Sequence, residues 1–276
     1  MYQNTDLRHI NGIVDIVDQY DVFFCDLLGS IGTTAGLYRY AVECIRTLVS
    51  MGKRIVILTN MPSSHKMASS LLGEYGLSDD ERVRLVTAGQ VLIDYINAQK
   101  LERFGNKVYV LGDRYLTDEM HSVQVVDKVK DADMILLTKN FRIVNMYHFL
   151  MAAIEKNLPV LCCSQDVSFA LCNGDWRQSP SYVLKQYRNL GGDVFLFGKP
   201  EKIFYEYVFN RYHDLKGASI VCIGDTLVTD ILGANRIGLD SVWITGGEFS
   251  RYNYSEMSNN SAKSCMPTYS SLCFRY

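Results

Sequence analysis

The chain has 276 residues, a net charge of -2 and a pI near 6.2, with 48% apolar and 21% charged residues. That length holds a sizeable core, and the near-neutral balance leaves no electrostatic footprint for nucleic acid. No apolar run reaches the length of a membrane span, and Met1-Tyr2-Gln3-Asn4-Thr5-Asp6 lacks the basic and apolar regions of a signal peptide, so the expected setting is cytoplasmic, with no membrane partner.

Short β-rich apolar runs recur along the chain, at 21–26, 54–59, 83–87, 107–111, 133–138, 159–163, 194–197, 219–223 and 241–245. Helical patterns lie between many of them. Tyr40 to Met51, for example, carries Ala41, Cys44, Ile45 and Leu48 on one face. Strands alternating with helices predict an α/β fold of parallel, Rossmann-like sheets with right-handed crossovers. The continuous apolar run Ile55-Val56-Ile57-Leu58 predicts a sheet covered on both faces. Arg251 to Tyr276 is rich in Ser, Asn and Tyr, has weak periodicity, and reads as an irregular surface tail. The eight cysteines include no CxxC spacing, so buried reduced thiols are expected rather than a zinc or redox motif. The five histidines are scattered and form no metal-ligand pair.

In open parallel sheets, ligands bind beyond the carboxyl ends of the strands. Four predicted strands end in polar groups suited to one site: Asp26, Thr59-Asn60, Lys199 and Asp225. A gap of 140 residues between Thr59 and Lys199 holds strands and helices of its own, the mark of a second domain inserted into the first. A carboxylate such as Asp26 can attack phosphorus and form an aspartyl-phosphate. Mg²⁺ takes oxygen ligands and only one or two carboxylates. Asp26 and Asp225 can supply these, and the backbone carbonyl of Leu28 a third ligand. Thr59 offers donors to a phosphate oxygen, and Lys199 a compact positive charge. Asp230 lies at a predicted helix start, where it reads equally as a cap or as an orienting carboxylate.

The order Asp26, Thr59, Lys199, Asp225 resembles the four motifs of the haloacid dehalogenase (HAD) superfamily, and within it the class IIA, NagD-like hydrolases. The matching stretches are Ile55-Val56-Ile57-Leu58-Thr59-Asn60, Phe197-Gly198-Lys199-Pro200, and the run from Ile223 to Asn235 containing Gly224-Asp225-Thr226-Leu227-Val228-Thr229-Asp230. Gly238 and Thr245-Gly246-Gly247 extend the match. The resemblance implies a HAD core at 1–104 and 192–276 with an inserted α/β cap at 105–191 that selects the substrate. It implies Asp26 as nucleophile and Mg²⁺ ligand, the Leu28 carbonyl and Asp225 as further ligands, and Asp230 in support. Thr59 and Asn60 bind the phosphoryl group, and Lys199 neutralises charge. Asp166, in Cys163-Ser164-Gln165-Asp166, matches the acid of an Asn-Pro-Asp-like substrate loop in the cap, although the Asn and Pro are absent.

Two departures qualify the activity. Active phosphatases of the superfamily carry an Asp two residues after the nucleophile as general acid and base; here that residue is Leu28. One NagD-like branch also lacks it, commonly with an aromatic residue instead. Gly32-Thr33-Thr34 also differs from the usual acidic turn. The expected function is a Mg²⁺-dependent phosphatase for a small phosphorylated metabolite, slowed by Leu28; homo-oligomerisation is left open. The alternative is a phosphate-ligand binding or regulatory protein that no longer turns over. A flavodoxin-like receiver phosphorylated on Asp26 is disfavoured by the long insert.

Overall fold

The structure, a computed structural model, describes residues 7–33, 35–77, 80–98, 104–139, 141–164, 180–248, 250 and 263–276. In chain order the strands are β1 (Arg8–His9), β2 (Val22–Asp26), β3 (Gly32–Thr33), β4 (Gly36–Leu37), β5 (Arg54–Thr59), β6 (Val83–Thr87), β7 (Lys107–Leu111), β8 (Gln124–Val126), β9 (Met134–Leu137), β10 (Val160–Cys162), β11 (Val194–Leu196), β12 (Ile220–Gly224), β13 (Asp240–Ile244) and β14 (Tyr269–Ser271). The helices are α1 (Arg39–Ser50), α2 (His65–Gly73), α3 (Ala88–Asn97), α4 (Met146–Glu155), α5 (Pro180–Asn189), α6 (Lys202–Arg211) and α7 (Leu232–Arg236). The chain divides into two compact units: residues 1–59, 65–86 and 199–276 form one, and 60–64 with 87–198 the other.

The first unit is built on a seven-stranded sheet of order β1-β14-β13-β12-β2-β5-β6. Its pairings from β1 through to β5 are parallel. β2 and β12 are buried at every position, as their unbroken apolar sequences require of a sheet covered on both faces. α1 packs through the predicted stripe: Ala41, Cys44, Ile45 and Leu48 are all at most 1% exposed. Each large side chain buried in this way contributes roughly 1.5–3 kcal/mol. On the solvent side of the same helix, Arg39 and Glu43 pair one turn apart at 3.0 Å.

The tail reads differently in the structure than in the sequence. Tyr269–Ser271 is not irregular surface but β14, lying between β13 and β1, and Tyr269 and Phe274 are buried. Two serines hid the strand by breaking the apolar pattern. Their hydroxyls are satisfied, Ser270 Oγ against His9 Nδ1 at 3.2 Å and Ser271 Oγ donating to the Cys273 carbonyl at 3.1 Å. β14 also reaches toward the end of β13: Ser271 and Leu272 carbonyls accept from the Thr245 and Gly246 amides at 2.8 and 2.9 Å.

The second unit has its own five-stranded parallel sheet, order β11-β10-β9-β7-β8. Its core gathers Ile135, Leu137, Leu150, Val160, Leu184 and Tyr187. Tyr187 is buried and donates its hydroxyl to the Leu158 carbonyl at 2.5 Å, so the ring fills the core without stranding its polar end.

Six described cysteines are buried and Cys273 is half-buried, all as free thiols. Burial pushes the Cys44 thiol up to about 12, which keeps it protonated and unreactive at neutral pH. Among the described residues, no helix is long and apolar enough to cross a membrane.

Candidate active site

The site grows from the carboxyl ends of three adjacent strands in the first unit. Asp26 ends β2, Asp225 follows Gly224 at the end of β12, and Thr59 ends β5. The register sets Cys25 beside Ile223 and Asp26 beside Leu58, so the acids emerge at the same level of the sheet. Lys199 joins them. Its Nζ donates to Asp26 Oδ1 at 2.5 Å, to Asp230 Oδ1 at 2.7 Å and to the Leu58 carbonyl at 3.1 Å. An ammonium has three donors, and each has an acceptor here. Lys199, Asp225 and Asp230 are buried, and Asp26 is 9% exposed.

Asp230 has two partners. Its Oδ2 accepts from the Thr226 amide at 3.0 Å, as a cap does, while Oδ1 faces Lys199. The backbone between these residues is a π-helical turn, Leu227–Ile231, a wide form that recurs at functional sites. A Cβ on Gly224 would lie 2.2 Å from the Asp230 Cβ, so glycine is what lets the turn close onto the strand end.

Backbone also surrounds the Asp225 carboxylate. A Cβ on Gly29 would meet its Oδ2 at 2.1 Å, and one on Gly247 its Cβ at 2.3 Å. Gly29 sits at φ +99°, a region that favours glycine independently of space. Thr226 Oγ1 donates to Asp225 Oδ1 at 3.2 Å, and the Trp243 indole Nε1–H donates to the Asp225 backbone carbonyl at 3.0 Å.

The electrostatics of this cluster are those of a crowded anionic site. Burial pushes the Asp26 carboxyl well above the ordinary range; the Lys199 charge pulls it back, and Asp230 and Asp225 push it up again. Burial opposes the charge on Lys199, but Asp230 and then Asp26 outweigh it and raise its pKa. The Lys199 direction governs the cluster. An ammonium within hydrogen-bond distance of two carboxylates keeps its proton and leaves Asp26 anionic. Three carboxylates against one ammonium leave two negative charges uncompensated among these four side chains. One ligand atom from each of Asp26, Asp225 and Asp230 lies within 4.8 Å of the others. Oxygens on opposite sides of one octahedral Mg²⁺ are about 4.2 Å apart. Hard oxygen donors, this spacing and the excess charge fit a divalent cation.

The remaining residues fall as follows. Leu28 is half-buried and bridges to Gly32 in the turn after Asp26. Thr59 is buried at its strand end. Asn60 belongs to the second unit, where its Nδ2 donates to Ser164 Oγ at 3.0 Å. Asp166 lies outside the described residues. Gly29 and Trp243 carry no signal in the sequence, whereas Thr226 lies in the run around Asp225 and Gly247 in the Thr245-Gly246-Gly247 run.

Comparison with known proteins fits this geometry. Haloacid dehalogenase-like hydrolases match residues 23–126, and a second family described as HAD-hydrolase-like matches 196–268. The chain belongs to the haloacid dehalogenase-like hydrolases. The two HAD matches contain Asp26 and Thr59 in the first and Lys199, Asp225 and Asp230 in the second. The HAD-hydrolase YfnB of Bacillus subtilis is 37% identical over 57 residues, which span 19% of this chain and only 24% of YfnB. A haloacid dehalogenase-like hydrolase of Brucella suis 1330 superposes with a TM-score of 0.76 at 22% identity, covering 96% of this chain and 99% of that one. Glycerol phosphate phosphatase of Mycobacterium tuberculosis, in complex with magnesium, superposes with a TM-score of 0.69 at 22% identity, covering 92% and 75%. These two likenesses establish the HAD fold over nearly the whole chain.

Proposed function

We propose that this HAD protein is a Mg²⁺-dependent phosphatase that hydrolyses a small phosphate monoester through an aspartyl-phosphate on Asp26. The observation that carries the reading is the buried Lys199 held between Asp26 and Asp230, with Asp225 in the same cluster. Asp26, Asp225 and the Leu28 carbonyl would hold the cation, with Asp230 in support; when bound, Mg²⁺ supplies charge neutralisation to phosphoryl oxygens. An Asp26 oxygen attacks phosphorus and forms an O–P bond, and the ester P–O bond breaks toward the leaving alkoxide. Water then attacks the aspartyl-phosphate, releasing phosphate and restoring Asp26. Lys199 stabilises the anionic form of Asp26, and Thr59 donates to a phosphoryl oxygen, followed in the chain by Asn60. The inserted segment 105–191, with Asp166, selects the alcohol. The likeness in fold to a glycerol phosphate phosphatase in complex with magnesium supports the choice of metal and of a small substrate.

Leu28 supports a second reading, a phosphate-ligand binding protein on the same fold. A hydrocarbon side chain cannot protonate a leaving alkoxide, and general acid help is worth about 10²–10⁴ in rate. Phosphate release from a panel of metabolites, with and without Mg²⁺, separates the two. Metal-dependent release is expected; binding of phosphate esters without release would favour the second reading.

Leu28→Asp is expected to raise turnover by about tenfold or more. Alkyl phosphates should gain more than activated aryl phosphates, whose leaving groups need less protonation. Steady-state rates on one ester of each kind test this. No gain on either, in a folded variant that binds Mg²⁺, means that a missing acid is not what limits the chain.

A further inference from the structure

We propose that Trp243 is a positioning residue for the cation site: its indole N–H holds the backbone of Asp225 and so fixes the direction of the Asp225 carboxylate. This rests on the reading of Asp225 as a Mg²⁺ ligand. Asp225 is the first residue beyond β12, where the strand ladder stops fixing the chain. The neighbouring strand β13 places Trp243 beside Gly224 in register. From there the indole reaches one residue further and donates to the Asp225 carbonyl at 3.0 Å.

The surroundings make that bond matter. Trp243 is 8% exposed and packs with Leu227, Ile231 and Cys265, a setting in which an unmet donor or carbonyl is costly. Directly after Asp225 the chain enters the π-helical turn 227–231. Asp230 holds the Thr226 amide at 3.0 Å, and Trp243 holds the Asp225 carbonyl one residue earlier. Trp243 pins the main chain, while Gly29, Gly247 and Thr226 enclose the carboxylate. The donor of Trp243 thus acts on the metal site through Asp225 and touches no reacting atom.

Two substitutions separate positioning from packing. Trp243→Phe keeps an aromatic ring and loses the N–H. Trp243→His loses more packing, but after a half-turn about χ2 its Nε2–H occupies the place of the indole Nε1–H. Calorimetric titration of the full chain with Mg²⁺ is expected to show the Phe variant weakened about tenfold, the usual minimum for loss of a group that orients a ligand. The His variant should stay closer to the parental affinity, although its melting temperature falls further. In a Trp176→Phe background, which leaves Trp243 as the one tryptophan, emission should titrate with Mg²⁺ at the calorimetric midpoint. Asp225→Asn should abolish that change. Parental binding with an unchanged Phe variant, or a folded His variant weaker than Phe, overturns the proposal. Absence of Mg²⁺ binding by the parental chain instead overturns the metal reading itself, and the positioning role with it.

Discussion

Asp26→Asn is expected to remove phosphatase turnover while leaving the fold intact. The amide has the size and shape of the carboxylate but no anionic oxygen with which to attack phosphorus. Loss of a covalent nucleophile costs up to about 10⁶ in kcat in well-studied cases. The fold should survive because the substitution relieves the cluster. Asp26 carries a charge that burial opposes and that Asp230 and Asp225 also oppose. Lys199 keeps Asp230 at 2.7 Å and the Leu58 carbonyl at 3.1 Å as partners. Circular dichroism should therefore match the parental protein, while single-turnover phosphate release disappears. Radiolabelled phosphate should be trapped covalently on the parental chain and not on the variant. Release at the parental rate from the Asn variant would refute the aspartyl-phosphate mechanism.

The strand-terminal acids are legible in the sequence because a buried parallel strand is a continuous apolar run. Where the run stops on Asp26, Thr59 or Asp225, the stop is also the functional edge of the sheet. Asp230 is half legible: its position after Thr229 suggests a cap, and nothing local says that its second oxygen faces Lys199. The contacts around Asp225 are not legible, although Thr226 and Gly247 themselves fall in recognisable runs. Gly29 and Gly247 matter through what a Cβ would strike across space, and Trp243 through a bond to a residue on the next strand. None of these contacts leaves a periodic trace. β14 escapes for a related reason. Its serines are buried because His9 and backbone carbonyls satisfy them, so polarity there signals hydrogen bonding and not exposure. The short strands β1, β3, β4 and β8 are too brief for a period-two pattern to register.

Lys199→Met is expected to lower stability by about 3–5 kcal/mol, the usual result of removing one partner from a buried ion pair. Methionine fills much of the lysine stem's volume, so the loss is electrostatic and not a cavity. Asp26 and Asp230 would remain buried beside Asp225, with no ammonium between them. For a chain of this size each kcal/mol moves the melting temperature by about 2–4 °C, so a fall of about 10 °C is expected at pH 7. The sign of the pH dependence identifies the cause. Lys199 has a raised folded-state pKa, so its contribution is complete below the unfolded lysine value of about 10.4. It is lost only as pH rises through the folded value, so the parental protein keeps it across the neutral range. In the variant, the Asp26 carboxyl, already pushed above the ordinary range by burial, loses its ammonium partner and is driven further above its unfolded value of about 3.9. The folded state then binds more protons than the unfolded state, and stability falls as pH rises from about 4. The deficit relative to the parental protein should therefore be largest near neutrality and shrink toward pH 4. Removing a second charge should restore part of it: Lys199→Met with Asp230→Asn should melt above Lys199→Met alone, since the Asn Oδ1 can still accept from the Thr226 amide. Scanning calorimetry at pH 4, 5.5 and 7 tests all three variants. An unchanged melting temperature for Lys199→Met at pH 7 would mean that the carboxylates are neutralised by something other than Lys199, and the clamp would lose its place as the electrostatic centre of the site.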